Sequence, residues 1–271
     1  GLGDVYKRQL HEYMLSLKRC IRVMAAPVHS HSLPSSRILA SHVACSGKKV
    51  LYGGEGADEL FLGYSTYIDM IKAGAQDPTH PALMSAYNSA VNNIKDYNSD
   101  SSETSQLMKG ELEGIYGRFM DAGCSAIEAL VKSNAFIDYA FQLPMVGLAA
   151  SDTVISDCGI EARTPFTRKE IVSMAVNAPL RMLISTDTTI GKGLIPKLPL
   201  QALFRKYTSQ IPLPKTGFSG YPNETKDLLG PPNAWRVFDL YPHTKSNWLT
   251  DRAIDWKIIN IEWFLQEWKL G

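Results

Sequence analysis

The sequence predicts an α/β fold that is predominantly helical, with an incomplete doubly wound parallel sheet. Three observations lead there. One apolar, β-prone stretch, Val50-Leu51-Tyr52, runs straight into Gly53, Gly54 and Gly56, the strand–turn pattern of an open α/β sheet. Around it, apolar residues recur at helical spacing in six or more segments. Strand-like runs number only two, the second near Ile21–Ala26, too few for a complete doubly wound sheet.

Taken in order, Ser32 is placed to cap a helix entered near Pro34, with Ile38, Leu39 and Val43 on its inner face. Gly47 and two lysines end it, and a strand follows over 49–53. A single helix is expected from Glu59 to about Ala73, then a turn-rich stretch over 74–81. Leu83, Tyr87, Val91 and Ile94 mark an amphipathic helix, followed by a polar loop, Asn98-Ser99-Asp100-Ser101-Ser102. Helical spacing resumes through Ile127, Leu130, Val131 and Phe141, and again at Ile171, Met174, Ala175 and Ala178. Gly230-Pro231-Pro232 punctuates a loop before the closing stripe of Ile254, Ile258, Ile261, Leu265 and Trp268, read as core or interface rather than site.

Composition excludes several classes. Hydrophobic residues make up 45% and charged residues 20% of the 271, ordinary for a globular chain. With 28 basic against 27 acidic side chains, the net charge is +1, and neither nucleic-acid nor membrane binding is predicted. No apolar run approaches the roughly 18 residues of a membrane span. Cys20, Cys45, Cys124 and Cys158 are far apart and without a Cys-x-x-Cys pair, so free thiols of a reducing cytoplasm are expected rather than disulfides or zinc ligands. Residues 1–9 lack periodicity and are read as a leader, either an expression scar or a truncated reading frame; 10–271 are read as one domain.

The chemistry concentrates in Gly53-Gly54-Glu55-Gly56-Ala57-Asp58-Glu59. Ligands bind at the carboxyl ends of strands in open α/β folds, and glycines there let backbone N–H groups approach an anion. Two acids beside such a turn suit a divalent cation and a proton acceptor. The other reading is that the acids simply favour a helix N-terminus.

The run Gly54 to Phe61, followed by Gly63-Tyr64, resembles the "SGEGADELFGGY" signature of the asparagine synthetase family, in its C-terminal ATP-dependent synthetase domain. Further stretches match in order. Asp152 with Gly159 to Phe166 is similar to the "D…GxEaRxPF" segment. Gly191-Lys192, with Lys197 beyond, resembles "GKxLLRKAL"; Pro214 to Phe218 resembles "PKxGF"; and Trp256 to Trp263 resembles the terminal "W-x-L-x-x-L-E-x-W" helix. The resemblance spans roughly residues 27 to 268.

This resemblance implies an adenine-nucleotide α-hydrolase (HUP-like) fold. It implies activation of a carboxylate by ATP to an acyl-adenylate, with release of pyrophosphate and amidation by ammonia. By the same correspondence Asp58 is the Mg²⁺ ligand and Glu55 stands at the amidation centre, handling a proton or positioning the intermediate. Gly53, Gly54, Glu55, Gly56, Asp152, Glu161 and Arg163 line the ATP pocket, and Lys215 and Lys192 act catalytically on the pyrophosphate. For Glu161 and Arg163 an internal ion pair is an equal alternative. Aspartate is the expected carboxylate and glutamine, in the parent, the source of ammonia; a homodimer is a further expectation.

The departures carry expectations too. No Ser-Gly-Gly-x-Asp-Ser pyrophosphatase loop and no glutaminase domain with a cysteine nucleophile stand in these 271 residues. The sequence is therefore read as the C-terminal part of a longer parent or as a chain completed by a partner, and by itself it is expected to turn over little ATP. Gly53 replaces a serine, Thr153 an arginine, and Thr167-Arg168 the usual Leu-Asp. Pro27-Val28-His29-Ser30-His31-Ser32 stands where relatives carry an acidic segment, "EPxxDxS". That leaves open a relative acting on another carboxylate, such as a β-lactam synthetase-like or peptide-cyclising enzyme, although retained Glu55 disfavours the β-lactam branch. It also leaves open a non-catalytic homologue.

Overall fold

The computed structural model describes residues 10–72, 101–185, 194–208, 236–240 and 252–269. In chain order these form helices α1 (Leu10–Met24) and α2 (Leu33–Cys45), strand β1 (Val50–Tyr52), α3 (Ala57–Leu60), α4 (Ser65–Lys72), α5 (Ser101–Asp121) and α6 (Ala126–Ile137). A π-helix over Asp138–Leu148 leads to α7 (Ala149–Ser156), β2 (Glu161–Arg163) and a 3-10 turn, Pro165–Thr167. Then come α8 (Lys169–Asn177), α9 (Leu180–Leu183), α10 (Leu198–Tyr207), α11 (Val237–Leu240) and α12 (Arg252–Glu267).

The chain divides into two compact units. The first comprises Gly1–Gly53, Val146–Arg163 and Pro214–Gly271; the second comprises Gly54–Met145 and Thr164–Leu213.

The first unit holds the sheet. β1 and β2 pair in parallel, Val50 with Glu161, Leu51 with Ala162 and Tyr52 with Arg163. The ladder extends one bond at each end, Glu161 N donating to Lys49 O at 2.8 Å and Gly53 N to Arg163 O at 2.8 Å. Two strands among the described residues make a parallel α/β element; they are too few to define a doubly wound sheet. The helices around it bury Tyr13, Met14, Leu17, Cys20 and Ile21 of α1, Leu33 and Ile38 of α2, Val154 and Ile155 of α7, and Ile258, Ile259, Trp263 and Leu265 of α12 in one core. Of the apolar stripe of α12, Ile258 and Leu265 are core, Ile261 packs against it and Trp268 is exposed.

Helix α1 corrects the strand expected near Ile21–Ala26. Tyr13, Leu17, Cys20, Ile21 and Met24 continue one spacing of three and four through that run, so the β-branched residues Ile21 and Val23 end a helix instead. At α2, Ser32 is the N-cap residue, as expected, but its hydroxyl meets the Ser30 hydroxyl at 2.8 Å and makes no cap hydrogen bond. Gly47, at φ +75°, ends the helix with its N–H on Ala44 O.

The second unit has its own core, from Leu60, Phe61, Leu62, Tyr67 and Met70 to Leu130, Val131, Ala135, Ala175, Leu183 and Ile184. Here the single helix expected over 59–73 is two, because Leu62 takes a left-handed φ of +56° and breaks the first after one turn. Ser125-Ala126-Ile127-Glu128 starts α6 with the Ser125 hydroxyl accepting from Glu128 N. The helical spacing that continued to Phe141 holds only to Ile137, beyond which the chain winds as a π-helix containing Pro144. Proline lacks the N–H that an α-helical bond there would require. Ser101 and Ser102, expected in a polar loop, open α5. The helix expected over Leu83–Ile94, the turn-rich stretch over 74–81 and the loop at Gly230 lie outside the described residues.

All four cysteines are free. Among the described residues no helix is long and apolar enough to cross a membrane.

Candidate active site

β1 delivers the glycine run. Ala57 N donates to Gly54 O at 3.1 Å, closing a turn around Glu55 and Gly56. Gly56 sits at φ +90°, a backbone conformation that side chains rarely adopt, so glycine is required there. The helix that follows, α3, is one turn long, and a dipole built from so few peptides contributes little. Asp58 and Glu59 stand in the first turn of this helix, where the alternative reading put them, and the helix carries no side-chain cap hydrogen bond. Glu55 is half-buried, and its Oε2 is buried with no hydrogen-bond partner among the described residues. An orphaned carboxylate oxygen is costly unless something binds it.

Asp58 lies three residues on. Its Oδ1 is 2.8 Å from the Lys197 ammonium, and both side chains are about a quarter exposed. The pair rests directly on Gly63, where a Cβ would fall 2.0 Å from Asp58 Oδ1 and 2.1 Å from Lys197 Cε. Lys197 itself adopts φ +56°, and its N–H donates to Phe61 O at 3.0 Å. Lys197 appeared in the sequence only as the flank of a resembling segment; nothing in its local pattern showed that it reaches Asp58.

The donor set fits Mg²⁺. Two carboxylates lie three residues apart, Asp58 already paired with a cation and Glu55 with a buried oxygen that has no hydrogen-bond partner among the described residues. No group of three or more His, Cys, Asp or Glu side chains among the described residues forms a metal cage. Mg²⁺ typically takes one or two carboxylates with phosphate and water completing its shell.

Behind Asp58 is a network that sequence reasoning missed. Glu59 is buried, at 7% exposure, and its Oε1 accepts the Tyr64 hydroxyl at 2.7 Å. Tyr67 donates to Asp138 Oδ2, at the start of the π-helix. Burial raises the pKa of both phenols; the hydrogen bond to Glu59 adds to the shift of Tyr64, and the negative charge of Asp138 to that of Tyr67. Burial likewise raises the Asp138 carboxyl, against the Tyr67 hydrogen bond. The spacing of Tyr64 and Tyr67 in the sequence was the available signal, but it could not name their partners.

In the first unit, Glu161 and Arg163 make the internal ion pair left open as an alternative, Arg163 Nε to Glu161 Oε1 at 2.8 Å. Both side chains are exposed, and their mutual hydrogen bond lowers the glutamate pKa and raises that of the arginine. The parallel register brings Gly53 beside Arg163. Asp152 is exposed in the first turn of α7. The segment in place of the acidic stretch is tied down by structural bonds: Asn260 brackets Val28 with both ends of its amide, and Tyr13 donates to His31 O at 2.8 Å. Gly53, Asp152, Glu161 and Arg163 belong to the first unit, and Gly54, Glu55, Gly56 and Asp58 to the second. Lys192 and Lys215 lie outside the described residues.

A model of the asparagine synthase family matches residues 7–235. The match takes in Lys7–Gln9 of the expected leader and stops short of α12. Neither a curated protein nor a solved structure matches the chain. With most of its length inside the match, the chain belongs to the asparagine synthase family, whose domain is that of an ATP-dependent amide ligase.

Proposed function

We propose that this chain carries the synthetase chemistry of an asparagine synthetase-type ligase, forming an amide from aspartate and ammonia at the expense of ATP. An aspartate carboxylate oxygen attacks the α-phosphorus of ATP and pyrophosphate leaves. Ammonia then attacks the acyl carbon of the adenylate, AMP leaves, and a proton passes to a base. The observation that carries this reading is the buried Oε2 of Glu55, three residues before Asp58, which has no hydrogen-bond partner among the described residues. An acceptor with no partner among the described residues suits a proton from the attacking ammonia.

The other roles follow the residue types. Asp58 supplies a hard oxygen to Mg²⁺, which when bound neutralises phosphate charge. The backbone of Gly54 and Gly56 approaches the nucleotide. Lys192 and Lys215 offer point charges to the departing pyrophosphate. Ammonia comes from a glutaminase domain or partner chain acting on glutamine, and two copies pair as a homodimer. Four free thiols suit a cytoplasmic home.

A second reading, a relative that amidates a different carboxylate, is favoured by the 27–32 segment, whose side chains are His29, Ser30, His31 and Ser32 where acids were expected.

The test is AMP formation from ATP with ammonium and a panel of carboxylates, by the complete reading frame that encodes this chain. Aspartate-dependent AMP and asparagine are expected. Glu55→Gln should lower kcat by about a hundredfold or more. AMP formation independent of any carboxylate would overturn the proposal; dependence on another carboxylate would select the second reading.

A further inference from the structure

We propose that the Lys197 ammonium is a built-in stand-in for the metal at Asp58, holding the carboxylate until a divalent cation displaces it. The inference rests on the reading of Asp58 as the metal ligand.

The geometry is specific. Lys197 Nζ lies 2.8 Å from Asp58 Oδ1, and Mg²⁺ binds a carboxylate oxygen at about 2.0–2.1 Å. Two cations seated on one oxygen repel strongly at such separations, so metal and ammonium exclude each other. The ion pair is partly exposed, and pairs of that kind contribute little to stability, which makes it easy to break.

Its construction is nevertheless demanding. Lys197 takes φ +56°, and so does Leu62. The hydrogen bond from Lys197 N to Phe61 O docks the lysine beside the Phe61-Leu62-Gly63 corner. Gly63 N in turn donates to Asp58 O at 2.7 Å, and the absent side chain of Gly63 is what leaves room for both charged groups. Two left-handed non-glycine residues, and a glycine whose Cβ would displace both charged groups, thus converge on one carboxylate. An incidental surface pair needs none of them, and such strain concentrates where geometry serves function. Lys197 precedes the first turn of α10, so its side chain can swing away without melting the helix.

The experiment is a Mn²⁺ titration of the full chain followed by electron paramagnetic resonance, at fixed pH and ionic strength. Lys197→Met should tighten Mn²⁺ binding about tenfold or more, while Lys197→Arg, which keeps the charge, should not. Asp58→Asn should abolish the site in both backgrounds. A folded Lys197→Met chain that binds Mn²⁺ no more tightly than the parent overturns the proposal, whereas the loss in Asp58→Asn would still support Asp58 as a ligand. Equal binding by Asp58→Asn would instead overturn the ligand assignment itself. A second measurement needs no variant: acetylation of Lys197 by an N-hydroxysuccinimide ester, read by peptide mass spectrometry, should rise on adding Mg²⁺. No rise at saturating Mg²⁺ overturns the proposal.

Discussion

Tyr67 donates its hydroxyl to Asp138 at 2.5 Å, tying α4 to the point where α6 gives way to the π-helix. Tyr67 is 1% exposed, so the bond is made largely out of water. Tyr67→Phe removes a donor from a carboxyl group in a low-dielectric setting and should cost about 1–3 kcal/mol of unfolding free energy, measured by urea denaturation.

Asp138 should also give stability a pH dependence. Its folded pKa is raised, by burial first and by the Glu59 charge as well. The native chain therefore holds this proton more tightly than the unfolded chain. That contribution is fully present below the ordinary carboxylate pKa and is lost as pH rises through the raised folded value. Asp138→Asn keeps an acceptor for Tyr67 and should flatten this part of the stability–pH curve; an unchanged slope would contradict it.

Gly63→Ala should destabilise the chain by about 1–3 kcal/mol, because its methyl group has to displace Asp58 Oδ1 and Lys197 Cε. Truncating the lysine relieves half of that clash. The Gly63→Ala/Lys197→Ala double variant should accordingly lose less than the sum of the single losses, a non-additivity read from a denaturation cycle.

Asp157 binds Arg19 of α1 at 3.0 Å and Arg37 of α2 at 2.8 Å. The Arg19 hydrogen bond, with Arg37 beside it, holds the carboxyl pKa low despite burial. Asp157→Asn should cost roughly 1–2 kcal/mol at neutral pH. A depressed pKa stabilises above the ordinary carboxylate value and stops doing so as pH falls through the folded one. The gap between parent and variant should thus close below about pH 4, in thermal unfolding across an acid series.

Thiol labelling should rank the cysteines by burial. Cys45 is exposed, whereas Cys20 is buried and its thiol is pushed up to about 12 by burial. Iodoacetamide should modify Cys45 first and Cys20 only on unfolding, as mapped by mass spectrometry.

Local pattern was a good guide where local forces decide. Pro34 and Gly47 bracket α2, and β1 ends in the glycine turn, each for reasons contained within a few residues. The same kind of reading failed at Ile21–Ala26, where a short β-branched run outweighed the longer helical period that contains it. It failed again at Leu62, whose left-handed backbone no leucine would announce.

By itself, then, the sequence determined the family, through motifs ordered along the chain, and with it the identity of Glu55 and Asp58 as the acids to follow. Tertiary structure alone decided what those acids meet: a lysine far along the chain for Asp58, and no hydrogen-bond partner among the described residues for one buried oxygen of Glu55. The reason is physical. A motif encodes spacing over a few residues of backbone, whereas an ion pair between distant residues depends on how separate helices pack, and on a glycine small enough to let the two charges meet.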